Sequence, residues 1–154
     1  VKGIVAPSEI VFNMSDYPQP KKKEDVENQK LKDAIAFNES NVVQGDKYAF
    51  HQPSGNPALG DALGKYQVTE EELRVYGPRF VGSNYTKEDF LRNPALQENY
   101  MLGKIKWLKK QGLTPAEILA VHRSGMSNLS RASLDKKLKD RNNYVQAGLK
   151  EYNK

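Results

Sequence analysis

Thr69, Thr86 and Thr114 are each followed three residues later by an acid, Glu72, Asp89 and Glu117, and this repeated helix-start signature constrains the fold more than any other feature of the chain. A threonine hydroxyl at an N-cap accepts the backbone N–H three residues on, and a carboxylate there can reach back to the cap residue. Pro115 reinforces the third start, and Pro94 marks a fourth, because proline at a first helical position has its φ preset. These signals predict a helix from Glu70 to about Tyr76 that stops at Gly77-Pro78, and a short one after Thr86 anchored by Phe90 and Leu91. They predict a long helix from Pro94 to about Lys110, and another from Thr114 to near Gly125. Ile118, Leu119 and Val121 make the Thr114 helix the most apolar and so the central one. A first helix over 24–38 carries Glu24, Asp25 and Glu27 in its opening turn and Val26, Leu31, Ile35 and Phe37 as apolar positions. A last helix is expected from about Ser133 to Tyr152, burying Leu134, Leu138, Tyr144, Val145 and Leu149. Residues 40–63, punctuated by Gly45, Pro53, Gly55, Pro57 and Gly60, read as a long loop. The expected class is therefore mainly α.

Residues 1–23 stand apart. Pro7, Pro18 and Pro20 interrupt them, Ser8-Glu9-Ile10-Val11-Phe12 can pair as a short strand, and Lys21-Lys22-Lys23 closes them. They read as an extended arm or linker before a domain at 24–154, either a tether to a larger assembly or a terminus without fixed structure. The absence of cysteine excludes a disulfide scaffold and a thiolate metal or redox site. The two histidines, His51 and His122, lack ligand spacing, so neither a metal nor another cofactor is expected. No apolar run approaches the roughly 20 residues that span a bilayer, and Ile4-Val5-Ala6 before Pro7 is too short for the core of a secretory signal. A net charge of +5 and a pI near 9.3 suit a nucleic acid, an anionic cell-wall polymer or plain solubility. No nucleic-acid motif accompanies the charge, and the run Lys136 to Arg141 reads first as a solvated face, with wall or phosphate binding as the other reading.

Glu39 is the candidate acid. It follows the first helix, whose C-terminal end is already negative, so an anion there is disfavoured and the carboxyl should hold its proton to higher pH. A general acid needs that near neutral pH. Ser40 follows it. Gly64-Lys65-Tyr66-Gln67-Val68 then supplies a glycine-led turn with an aromatic and an amide, a suitable floor for a sugar or similar ligand. Each residue also has a structural reading: Ser40 as a helix-end hydroxyl satisfying a carbonyl, Gln67 as a surface amide, Tyr66 and Val68 as packing, Gly64 as backbone geometry. Asp46 and Asp61 are the acids a two-carboxylate mechanism would draw on, with turn chemistry as the alternative. Tyr48, Phe50 and His51 either line a subsite or pin their loop.

Asn38-Glu39-Ser40-Asn41, then Gly60 to Val68 ending in Gly-Lys-Tyr-Gln-Val, and then Phe90-Leu91-Arg92-Asn93-Pro94-Ala95-Leu96-Gln97-Glu98, together resemble the lysozyme-like lytic transglycosylases, in the form found in phage particles and murein-degrading proteins. The resemblance spans roughly residues 24–152. It implies a lysozyme-like fold with long loops beside a cleft, and cleavage of peptidoglycan between N-acetylmuramic acid and N-acetylglucosamine. Glu39 would be both general acid and base and 1,6-anhydro-muropeptides the product. It further implies substrate contacts from Ser40, Gly64, Tyr66, Gln67, His122 and Tyr144, and a place in a phage virion or the bacterial periplasm or envelope. The partners would be glycan strands and, through residues 1–23, other virion or envelope proteins. Val121-His122-Arg123-Ser124-Gly125 departs from the family pattern, placing His122 and Arg123 where tyrosine and asparagine usually stand. That departure keeps open a second reading, an inactive lysozyme-like domain that binds wall or serves as a structural part. A nucleic-acid binder, motivated by charge alone, is a third.

Overall fold

The computed structural model describes residues 22–154, so the arm, apart from its last two residues, and the strand expected at Ser8 to Phe12 lie outside the described residues. Seven α-helices carry the described chain: α1 (Lys23–Ser40), α2 (Glu70–Val81), α3 (Lys87–Leu91), α4 (Pro94–Lys110), α5 (Pro115–Ser124), α6 (Arg131–Asp140) and α7 (Asn142–Tyr152). The architecture is mainly α, as the helix-start signals require. No described helix is long and apolar enough to cross a membrane.

Segment 40–63 is not plain loop. It holds β1 (His51–Pro53), a single 3-10 turn (Pro57–Leu59) and β2 (Asp61–Leu63), and β3 (Val68–Thr69) completes a three-stranded antiparallel sheet in the order β1-β2-β3. His51 faces Leu63 and Pro53 faces Asp61, while Leu63 also pairs with Val68. These strands are two or three residues long, too short for alternation to stand out among turn residues.

The caps form as expected. Thr69, Thr86 and Thr114 accept from the N–H groups of Glu72, Asp89 and Glu117. Only Thr114 closes a full capping box. Glu72 does not reach back to its cap; its carboxylate turns inward to Tyr100 and Lys104. Helix α2 also passes its expected stop and ends at Gly82, φ 76°. Gly77 has no Cβ to clash with the Pro78 ring, which removes part of the usual penalty before proline. The extra turn delivers Phe80 to an aromatic group: stacked on Tyr76 at 5.6 Å, edge-on to Tyr100 at 5.3 Å and tilted against Trp107 at 6.0 Å. Such contacts outweigh the one helical hydrogen bond proline lacks.

The single last helix is in fact two, broken at Arg141 (φ −113°, ψ 27°). With neither glycine nor proline there, the break has no strong sequence marker; Asn142 and Asn143, weak in helix interiors, suit the restart. The break lets α7 lie against α1 and α5. Gly148 sets that approach: a Cβ there would stand 2.8 Å from Leu119 and 3.2 Å from the Asn38 amide.

Helix α5 is central, with Glu117 to His122 buried consecutively. On α1 the buried stripe is Leu31, Ala34 and Ile35, whereas Val26 and Phe37 are about 40% exposed. Phe37 lies two positions, some 200°, from Ile35, so both cannot face the core.

Candidate active site

Helix α1 runs through Glu39, placing the acid in its last turn. Tyr144, in the first turn of α7, donates its hydroxyl to Glu39 Oε2 at 2.6 Å, and the Asn38 amide donates to the Tyr144 carbonyl at 2.9 Å. Two helices far apart in sequence are thus locked at the acid. The Glu39 side chain is 9% exposed. Burial raises its pKa, and the Tyr144 hydrogen bond and the charges of Arg123 and Lys104 only partly offset this. Burial also keeps Tyr144 neutral, so it remains a donor. Oε1 of Glu39 has no hydrogen-bond partner among the described residues.

His122 lies under Glu39, Nε2 to Oε2 at 4.0 Å, but the two do not form an ion pair. Burial, reinforced by Lys104, pushes the imidazole pKa down to about 3. Nε2–H donates to the Tyr66 carbonyl at 2.7 Å, and Nδ1 accepts from Lys104 Nζ at 2.9 Å. The tautomer follows from the partners, since a lysine ammonium can only donate. Lys104 directs its other donors to both oxygens of Glu72, at 2.8 and 2.9 Å, and Tyr100 adds its hydroxyl at 2.7 Å. Burial would raise the Glu72 pKa, but Lys104 and its neighbours hold it below the usual carboxylate range.

The turn after β2 is assembled from four sides. Ser40, fully buried, donates to the Lys65 carbonyl at 2.7 Å. Gln97 accepts from Lys65 N–H at 3.0 Å and donates to the Tyr48 and Phe90 carbonyls. Gly64, φ 75°, permits this approach, since a Cβ there would come within 2.1 Å of the Gln97 amide oxygen. Glu98 gathers Tyr48, Lys65, Tyr66 and Lys32 around one carboxylate, whose pKa, despite burial, these partners pull down to about 2. Ser40, Gly64 and Tyr66, expected to contact substrate, are buried and serve as the frame; their structural readings describe their places. Tyr48 pins its loop. Gln67 differs. It holds a left-handed backbone, φ 53°, unusual for a non-glycine residue. Its amide meets the Gly64 carbonyl and the Gln52 amide and keeps one N–H and one lone pair spare.

Gln67, His122 and Arg123 line a cavity of about 460 Å³ with Leu59, Tyr76 and Met126. Arg123 and Tyr144 line a second, of about 370 Å³. Arg123 lines both cavities, and Glu39, which lines neither, lies behind their walls, against His122 of the first and Tyr144 of the second. The other acids are engaged elsewhere. Asp46 accepts the Tyr48 N–H as turn chemistry, and Asp61 is held by Lys87 at 2.8 Å and His51 at 3.1 Å, which lower its pKa.

The sequence marked Glu72 as a helix-capping acid and Gln97 and Glu98 as part of the resembling motif, and it gave none of them, nor Lys104, a place at the site. A signal existed for Lys104, which falls four residues from both Tyr100 and Leu108, on the buried stripe of α4. Comparison of this chain with protein-family models, with curated proteins and with solved structures finds no match.

Proposed function

We propose that this domain is a lysozyme-like peptidoglycan lytic transglycosylase, with Glu39 as general acid and then general base. One observation carries the reading: a buried carboxyl with a raised pKa, oriented by Tyr144 at 2.6 Å and set against the walls of two cavities through Tyr144 and His122. Glu39 would protonate the oxygen linking N-acetylmuramic acid to N-acetylglucosamine. It would then accept the proton of the muramoyl C6 hydroxyl as that oxygen bonds to C1, closing a 1,6-anhydro ring without consuming water. Glycosidases generally use two carboxylates. Here Asp46, Asp61 and Glu72 are each committed to other partners, which favours the one-acid route. Gln67, with a spare donor and acceptor on the cavity wall, suits a sugar amide or hydroxyl. A basic chain in a phage virion or bacterial envelope, with glycan strands as partner, belongs to the same proposal.

The test is mass spectrometry of purified peptidoglycan after digestion. Anhydro-muropeptides from the wild type and none from Glu39→Gln are expected; solubilisation by Glu39→Gln at the wild-type rate sinks the proposal. The second reading, an inactive wall-binding domain, draws on one observation: both nitrogens of His122 are already occupied, by Lys104 and the Tyr66 carbonyl, at the position where the resembled family places a tyrosine. It predicts co-sedimentation with murein without release of products.

A further inference from the structure

The cavity of about 370 Å³ beside Tyr144 gathers three cations, Arg123 from α5, Lys139 from α6 and Arg141 from the break before α7. None of the three pairs with a carboxylate among the described residues. The acid lining the same cavity, Asp140, is taken by Lys136 at 2.5 Å. The basic run 136–141 therefore divides. Lys136 is neutralised, and Lys137 donates to the carbonyls of Gly125 and Ser127 at 2.8 and 2.6 Å. Lys139 and Arg141 join Arg123 around the concavity. Like charges converging on a concave wall repel one another and focus a positive potential that an anion relieves. The helix break expresses the same arrangement: a continuous helix through Arg141 would not bend the chain at this cavity.

We propose that this cavity is a subsite for the carboxylate-bearing peptides that hang from the glycan strand, which rests on the reading of Glu39 as a glycan-cleaving acid. The strand passes Glu39, which contacts Tyr144 in the wall of this cavity and His122 in the wall of the other, and a muramoyl unit next to the acid directs its acidic peptide to the cavity that holds the cations. The other cavity, where Glu71 and Glu72 stand with Gln67 and Met126 and only Arg123 is cationic, takes sugar. Cleavage then favours peptide-substituted strands, and salt weakens that preference by screening it.

The experiment compares wild type with Lys139→Gln/Arg141→Gln, its fold checked by circular dichroism. The substrates are intact murein, the same murein stripped of peptides by an amidase, and walls with and without teichoic acid. Wild type should turn over intact murein roughly three- to tenfold faster than stripped glycan, the scale of two partly exposed ion pairs. The double variant should lose that advantage while matching wild type on stripped glycan. Equal rates of variant and wild type on intact murein, or an equal loss on both glycans, overturn the subsite. A loss confined to walls that retain teichoic acid overturns the peptide assignment in favour of phosphate. If wild type releases nothing from any substrate, the glycan-cleaving reading fails, and the subsite with it.

Discussion

Lys104 Nζ and His122 Nδ1 lie 2.9 Å apart in the core, a cation donating to an uncharged imidazole. The contact fixes which nitrogen of His122 carries the proton and turns that proton to the Tyr66 carbonyl. It also joins the floor of the site to the Glu72 carboxylate, so the surroundings of Glu39 are held by groups from β3's flanking turn, α2, α4 and α5 at once. A neutral ring beside Glu39 adds no positive charge to offset the burial that raises the pKa of the acid.

Lys104→Met should therefore cost roughly 3–5 kcal/mol, because it strands a buried carboxylate at Glu72. Adding Glu72→Gln should recover a large part of that loss, since the pair rather than either member is what the core accommodates. Urea unfolding of the two single variants and the double gives the coupling energy, and additive losses would contradict it.

Gly64→Ala should destabilise by about 1–2 kcal/mol from its left-handed backbone alone, and by more because the new methyl displaces the Gln97 amide. Combining it with Gln97→Ala should remove the clash but not the loss of the Lys65, Tyr48 and Phe90 hydrogen bonds. The double variant then stays well below wild type in thermal unfolding while opening the turn that carries Gln67.

The helical frame was legible because its signals are local. Thr69, Thr86, Thr114 and Pro94 announce helix starts through groups within one turn, and all four starts occur where expected. Stops were less legible, since they depend on distant partners. Phe80 extends α2 through Pro78 by finding Tyr100 and Trp107, neither of which is visible from the Gly77-Pro78 dipeptide. The site divides along the same line. Glu39 stood out by its awkward place at a helix end, whereas Glu72 looked like a capping acid until the fold supplied Lys104. The convergence of Arg123, Lys139 and Arg141 depends on a helix break with no strong marker in sequence.

Glu98 makes stability fall in acid. Its pKa in the fold is about 2 against 4.5 ordinarily, so the native state binds fewer protons than the unfolded chain between those values. The stabilisation is complete above about pH 4.5 and disappears as pH falls through 2. With the carboxylate a quarter exposed, about 2 kcal/mol is expected, less than the full shift implies. Glu98→Gln should be destabilised by that order at pH 7 and approach wild type near pH 2, which denaturant titrations at several pH values will read.

Glu39 gives the opposite sign. Its folded pKa is raised, so the native state holds the proton after the unfolded chain has lost it, and stability declines as pH rises from about 4.5 through the raised value. Glu39→Gln should melt above wild type at pH 7, with the gain vanishing below pH 4.5. Activity that needs the protonated acid should show an alkaline limb at this same titration. Tyr144→Phe supplies the control. The hydroxyl's hydrogen bond favours the carboxylate, so its removal should move the alkaline limb to higher pH while Gly148 and the Asn38 contact keep α7 in place. A charge-assisted hydrogen bond is worth about 1.5–3 kcal/mol, so turnover should drop by roughly ten- to a hundredfold where the Glu39 anion must form. A fall in rate with no movement of the limb would mean that Tyr144 orients substrate rather than Glu39.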